Sequence, residues 1–181
     1  MRRSRKTYTP GPFDPERDED FAVNVRARYD LPPNRARTKP PPAHLHPSLK
    51  TALRKAGYGA LFSHQVDGLR SLEAGRDLLI STPTASGKSL VYQLRAMDNW
   101  LKDPSSRALF IYPYKALAQD QCAKVNELAR GLGLEDFKAV IYDGDTPAGV
   151  RRGIQKNPPA VLMTNPDMFH LALMAFQENW T

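Results

Sequence analysis

Cysteine is almost absent from this chain: Cys122 is the only one in 181 residues. An internal disulfide framework is therefore excluded, and so is a Cys/His cluster of the kind that holds zinc. A lone thiol suits a reducing, intracellular setting. Long apolar runs are absent too; none approaches the roughly 18 residues that a membrane span needs, so no membrane partner is expected. The basic start, Met1 to Lys6, leads into no apolar stretch, and no secretory signal is expected. The expected location is the cytoplasm, or the nucleus in a eukaryote. There is no internal repeat. What remains, 41% apolar and 25% charged residues, suits a soluble globular protein with room for one domain and its core but not for two lobes.

Positive charge is concentrated at the front. Residues 1–50 carry 11 Lys/Arg against 6 Asp/Glu, whereas residues 51–181 carry 15 against 13. A basic arm ahead of a near-neutral domain suits a polyanionic partner, because phosphate contacts release counterions; a merely solvated leader would look the same. Nine of the 16 prolines also fall in residues 1–50, among them Pro32-Pro33 and Pro40-Pro41-Pro42. Proline removes amide donors and restricts its predecessor, so neither helix nor sheet is expected to run through such a stretch. Residues 1–42 read as a basic, proline-rich disordered leader, with at most a short helix near Asp18 to Ala27. Residues 43–181 read as the folded domain.

Order is expected from near Leu45. Leu49, Ala52, Leu53 and Ala56 recur at helical spacing, with Gly57 placed to close the helix. Ser63 is a candidate N-cap for a second helix through Val66, Leu69 and Leu72, ended by Gly75. Four short apolar runs follow: Leu78-Leu79-Ile80, Ala108 to Tyr112, Ala139 to Tyr142 and Ala160 to Met163. Amphipathic stretches lie between them, such as Leu90, Leu94, Met97, Leu101 and then Leu117, Val125, Leu128. Continuous apolar strands alternating with helices predict an α/β fold, a parallel sheet flanked by helices on both faces, with right-handed crossovers.

The segment after the first run, Thr82-Pro83-Thr84-Ala85-Ser86-Gly87-Lys88-Ser89, leads straight into a helix. A Gly-Lys-Ser at a strand–helix junction is the setting of a phosphate-binding loop. Backbone amides from Ala85 to Lys88 would converge on a β-phosphate, helped by the partial positive charge of the helix start. Gly87 sits where a side chain would collide with phosphates. Lys88 is the candidate catalytic residue, a mobile charge for the β- and γ-phosphates, and the Ser89 hydroxyl is the candidate magnesium ligand. The general pattern has glycine where this chain has Thr82. ATP and Mg2+ are the expected cofactors. An ordinary turn with an exposed lysine is the bland alternative, and it gives no reason for Ala85, Ser86 and Gly87 in succession.

Thr82-Pro83-Thr84, then Gly87-Lys88-Ser89, resembles the first motif of superfamily-two helicases. Leu61-Phe62-Ser63-His64-Gln65 resembles the family's Q motif, which implies adenine recognition by the Gln65 carboxamide, with His64 beside it shaping that pocket or packing at the helix start. Tyr112-Pro113-Tyr114-Lys115-Ala116-Leu117-Ala118-Gln119-Asp120-Gln121 resembles motif Ia, with Tyr114 in place of the usual threonine. Tyr142-Asp143-Gly144-Asp145-Thr146-Pro147 resembles the glycine-containing loop after the next strand, and Thr164-Asn165-Pro166-Asp167 resembles motif Ib. The resemblance implies that Pro113, Tyr114, Lys115, Gly144, Asp145, Thr164, Asn165, Pro166 and Asp167 contact nucleic acid, single-stranded DNA above all, mainly through its phosphates. Tyr114 could stack on a base or simply pack. From about His46 to Trp180 the chain is similar to DEAD/DEAH-box DNA helicases of the YprA/MrfA type, which are linked to DNA repair. That implies a P-loop NTPase domain of RecA-like form.

The sequence stops 14 residues after Asp167. The family's next element, a strand ending in Asp-Glu-x-His, is expected after Met163 and is not found. The domain is therefore expected to be incomplete at its C-terminal end, with an apolar edge left uncovered and remaining lobes belonging to a full-length relative. ATP binding without hydrolysis or unwinding is expected of such a chain, so whether it is itself an enzyme stays open. Two alternatives stand beside this reading: a P-loop kinase acting on a small molecule, and an inert binding remnant. Asp143 and Asp145 read as a turn rather than a metal cage, and His44, His46 and His170 as structural or exposed. Arg151, Arg152 and Lys156 form a basic helix face that is either solvated or in contact with a nucleic-acid backbone.

Overall fold

The computed structural model describes residues 36–83 and 86–175. The leader up to residue 35, including the helix considered near Asp18 to Ala27, lies outside the described residues, as do Thr84, Ala85 and residues 176–181. The last residues assigned to the leader do carry structure. Strand β1 (Thr38–Lys39) pairs antiparallel with β2 (Leu61–Phe62), with Thr38 opposite Phe62. Lys39 Nζ reaches the Asp67 carboxylate at 2.8 Å, and Arg37 O accepts from Ser63 N. Order thus starts before Leu45, because the strand ends at the residue before Pro40 and the prolines follow it rather than interrupt it.

Helix α1 (Pro47–Lys55) starts where His46 Nδ1 accepts from Ser48 N and Pro47 supplies a preset φ at the first position. It buries Leu49 and Leu53 completely, each worth roughly 1.5–3 kcal/mol of transfer free energy. Gly57 (φ 87°) closes it as expected. Helix α2 (Ser63–Glu73) begins one residue earlier than the Ser63 cap implies. Phe62 holds the cap position, and its N–H donates to the Gln65 side chain at 2.9 Å. Helix α3 (Ser89–Lys102) buries Val91, Leu94 and Met97. Asp98, fully buried on it, accepts from His46 N at 2.6 Å and faces Lys102 Nζ at 2.7 Å, tying α1 to α3. Beside them the Arg95 guanidinium binds Glu73 and holds its carboxyl below the usual carboxylate range.

Three of the four expected strands form. They are β3 (Ala108–Ile111), β4 (Ala139–Ile141) and β5 (Val161–Thr164), in the order β3-β5-β4 and all parallel. The run at residues 78–80 does not join them: it forms no strand, and Leu79 is 93% exposed. An apolar β-forming run becomes a strand only beside a hydrogen-bonding neighbour, and β3 pairs only with β5.

Side chains alternate across the sheet. Val161, Met163 and Ala139 face the main core, where helix α4 (Lys115–Gly131) packs its Ala118, Cys122, Val125 and Ala129 stripe. Of the residues expected on that stripe, Val125 is fully buried and Leu128 packs partly buried against the core, whereas Leu117 is exposed. Leu162 and Val140 face a smaller cluster with Ile154 of α5 (Ala148–Lys156) and Met168. Met168 ends a short helical turn, α6 (Pro166–Met168), which continues as a π-helix (Phe169–Met174). On that second face Leu109 and Ile111 of β3 stay exposed. The architecture is α/β, a parallel sheet flanked by helices.

Candidate functional site

The phosphate-loop candidates are assembled around Gly87. Its φ of 75° lies in the left-handed region that glycine alone enters freely. A Cβ added there would stand 2.6 Å from Gln65 Nε2, so the side chain that glycine avoids would collide with Gln65. Gln65 is 3% exposed and both ends of its carboxamide are engaged: Nε2 donates to Gly87 O at 2.9 Å while Oε1 accepts from Phe62 N. An adenine contact there would have to exchange with these bonds. Lys88 folds back into the loop and donates to Thr82 O (2.6 Å) and Pro83 O (2.8 Å). Thr82 and Ser86 share a hydroxyl–hydroxyl bond of 2.6 Å. Ser89 opens α3, and Lys88, Ser89, Leu72, Leu78, Ile80, Val91 and Tyr92 line a cleft of about 420 Å³. Thr84 and Ala85 lie outside the described residues.

The other candidates meet at the C-terminal ends of the three strands, as parallel topology requires. Tyr112 N donates to Thr164 O and Tyr142 N to Met163 O, so the segments 112–115, 142–147 and 164–167 leave the sheet side by side. Lys115 Nζ sits 2.7 Å from Asp145 Oδ2, and that carboxylate raises the lysine pKa. Pro113, Gly144, Pro166 and Asp167 are exposed, and Tyr114 is 73% exposed, standing out from the surface rather than packing. Thr164 is different. It is 1% exposed and its hydroxyl donates to Tyr142 O at 2.6 Å, so it organises the sheet edge and offers nothing outward. Asn165 Oδ1 caps α6 by accepting from Met168 N.

A side chain of α3 lies between the two groups. Tyr92, which lines the cleft, places its hydroxyl 3.2 Å from that of Tyr112, the residue before Pro113, and sets its ring edge-on to Phe110. Burial and the Tyr92 hydroxyl push the Tyr112 phenol up.

Residues 62–180 match the family model described as DEAD/DEAH box helicase. The chain belongs to the DEAD/DEAH box helicase family. It is 37% identical over 157 residues to an uncharacterized ATP-dependent helicase, YprA, of Bacillus subtilis, with 87% of this chain and 21% of the relative aligned. It is also 37% identical over 163 residues to the ATP-dependent helicase HRQ1 of Saccharomyces cerevisiae, covering 90% and 15%. Among solved structures it superposes with TM-score 0.77 on the helicase MrfA bound to DNA and AMPPNP, at 37% identity, over 83% of this chain and 21% of that one. The chain thus spans about a fifth or less of the length of these relatives, and its fold is the RecA-like fold of this helicase family.

Two features of this helicase domain are invisible to motif reading. Arg151, read as part of a basic face, turns inward: Nε donates to Thr146 O, Nη2 to Asp143 O and Gly144 O, and the guanidinium lies 5.6 Å over the Tyr142 ring. It fixes the glycine loop from behind. Asn126 donates from Nδ2 to Ala139 O and accepts from Ala139 N, both at 2.9 Å. Neither bond has a local sequence signal, since the partners lie 5 to 13 residues apart across a turn or strand. Asp143 likewise closes its own loop, accepting from Asp145 N and Thr146 Oγ1.

Proposed function

We propose that this chain is the ATP- and nucleic-acid-binding part of an ATP-dependent DNA helicase, and that it binds both ligands without turning ATP over by itself. The observation that carries the reading is the Lys88 ammonium, which among the described residues donates to the carbonyls of Thr82 and Pro83 at the start of a 14-residue helix. Charged phosphate oxygens are stronger partners for an ammonium than neutral carbonyls, and the helix start favours negative charge. The residues present fit the nucleotide and its magnesium. Gly87 leaves the loop free of a side chain, Lys88 supplies the cation, and the Ser89 hydroxyl lies in the same cleft to ligate Mg2+. When bound, the magnesium nucleotide supplies the phosphoryl group that the family transfers to water.

A nucleic-acid strand is assigned to the ends of β3, β4 and β5, where Pro113, Tyr114, Lys115, Gly144, Asp145, Pro166 and Asp167 are exposed together. Single-stranded DNA is the expected form, in keeping with the DNA-bound relative. The Tyr92–Tyr112 contact supplies a route between the two sites. No Asp-Glu-x-His occurs in these 181 residues. Without its acidic pair and an arginine finger, the rate of phosphoryl transfer falls by many orders of magnitude. A small-molecule kinase would need a polar acceptor pocket beside Lys88, and the cleft there is lined mostly by apolar side chains.

The test is calorimetric. Mg2+-ATP should raise the unfolding temperature of the chain, and Lys88→Ala should weaken ATP binding by about 2 kcal/mol, roughly 30-fold, as expected for loss of a charge-assisted bond. Equal ATP affinity for both proteins would overturn the assignment. Hydrolysis stimulated by single-stranded DNA in the isolated chain would overturn the claim of binding without turnover.

A further inference from the structure

Three segments at the strand ends, 112–115, 143–146 and 164–167, contain one cation, Lys115, and three carboxylates, Asp143, Asp145 and Asp167. Asp143 is buried and closes its own turn. Asp145 is the opposite case. Its side chain is 76% exposed, yet it is turned to Lys115 at 2.7 Å. The loop beneath it is fastened by the three Arg151 bonds to backbone carbonyls, so the carboxylate is held within reach of the ammonium.

We propose that Asp145 is an internal counterion for Lys115, occupying the ammonium that a phosphodiester would otherwise take. Nucleic acid then binds here by exchanging one anion for another. A neutral pair neither steers a phosphate from a distance nor releases a full counterion on contact, so affinity is held down and its salt dependence is shallow. Asp145 becomes a determinant of how tightly this lobe grips a strand, acting through Lys115 rather than by touching the strand. The inference deepens the nucleic-acid assignment made above and rests on it.

The experiment uses the full chain and a fluorescein-labelled oligothymidylate, with anisotropy followed across a range of sodium chloride concentrations. Asp145→Asn should bind about fivefold tighter at low salt, and the slope of log K against log salt should steepen by about 0.7, the value for one more phosphate neutralised on a single strand. Asp145→Ser, which keeps a turn-forming residue, should do the same. Glu127→Gln removes an exposed carboxylate further along α4, and should change neither quantity. In a Lys115→Ala background the Asp145→Asn gain should shrink to less than half. A gain that persists in full without Lys115 would show general repulsion and overturn the proposal. So would an unchanged affinity and slope in both Asp145 variants when their unfolding temperatures match the parent. If the parent chain binds no oligonucleotide even at low salt, the nucleic-acid assignment itself fails and this inference falls with it.

Discussion

The strand ends and the phosphate loop, the two candidate ligand sites of one small domain, are built differently. At the strand ends side chains brace the loops: Thr164 donates to Tyr142 O, Asn165 accepts from Met168 N, and Arg151 donates to three carbonyls. The strands beneath are paired and carry fully buried Val161 and Met163. The phosphate loop leaves a run that forms no strand and is held from the side, by the Gln65 bond to Gly87 O and the Lys88 bonds to Thr82 and Pro83. A loop on a paired strand inherits its geometry from the sheet. A loop without one depends on side chains that a ligand can also recruit.

That contrast can be broken at its strong end first. Met163→Ala removes a completely buried side chain from the central strand and should cost about 2–5 kcal/mol in denaturant unfolding; a loss under about 1 kcal/mol would mean the sheet is not where stability resides. Gly87→Ala comes next. Its left-handed φ makes the substitution cost about 1–2 kcal/mol, and the displaced Gln65 should let the Phe62 amide exchange faster with deuterium. Unchanged exchange at Phe62 would detach the two segments from each other. The smallest effect is expected at Leu79→Ser. An exposed position of this kind should shift stability by no more than about 0.5 kcal/mol, while light scattering falls because an exposed apolar side chain is gone. A clear destabilisation would instead show that Leu79 is covered in solution.

Helices were legible in the sequence because their signals are local. Gly57 and Gly75 at two helix ends act within a turn, and both take the left-handed φ in the structure. The strands at 108–111, 139–141 and 161–164 were legible as apolar runs between polar ones. The same signal misled at 78–80, where composition asks for burial but pairing depends on a neighbour far along the chain. Thr38–Lys39 was hidden for the converse reason, a paired strand inside a segment dominated by proline. On α4 Val125 and Leu128 pack against the core as read, while Leu117 is exposed and the small side chains Ala118 and Ala129 take the buried positions beside them. At the site, Gln65, Lys88 and Ser89 could be named from motif spacing. Their actual partners could not, since Gln65 to Gly87 spans 22 residues and Lys115 to Asp145 spans 30.

The Asn126 carboxamide gives the sheet a direction. At the first residue of β4 it satisfies both backbone groups that point away from β5, much as a neighbouring strand would. Among the described residues no side chain does the same along β3, and Leu109 and Ile111 beside that flank are exposed. Growth of the sheet, whether by orderly assembly or by accidental stacking of chains, is therefore biased toward a single flank. A lysine or proline introduced at Leu109 would be the economical way to make the domain behave in concentrated solution.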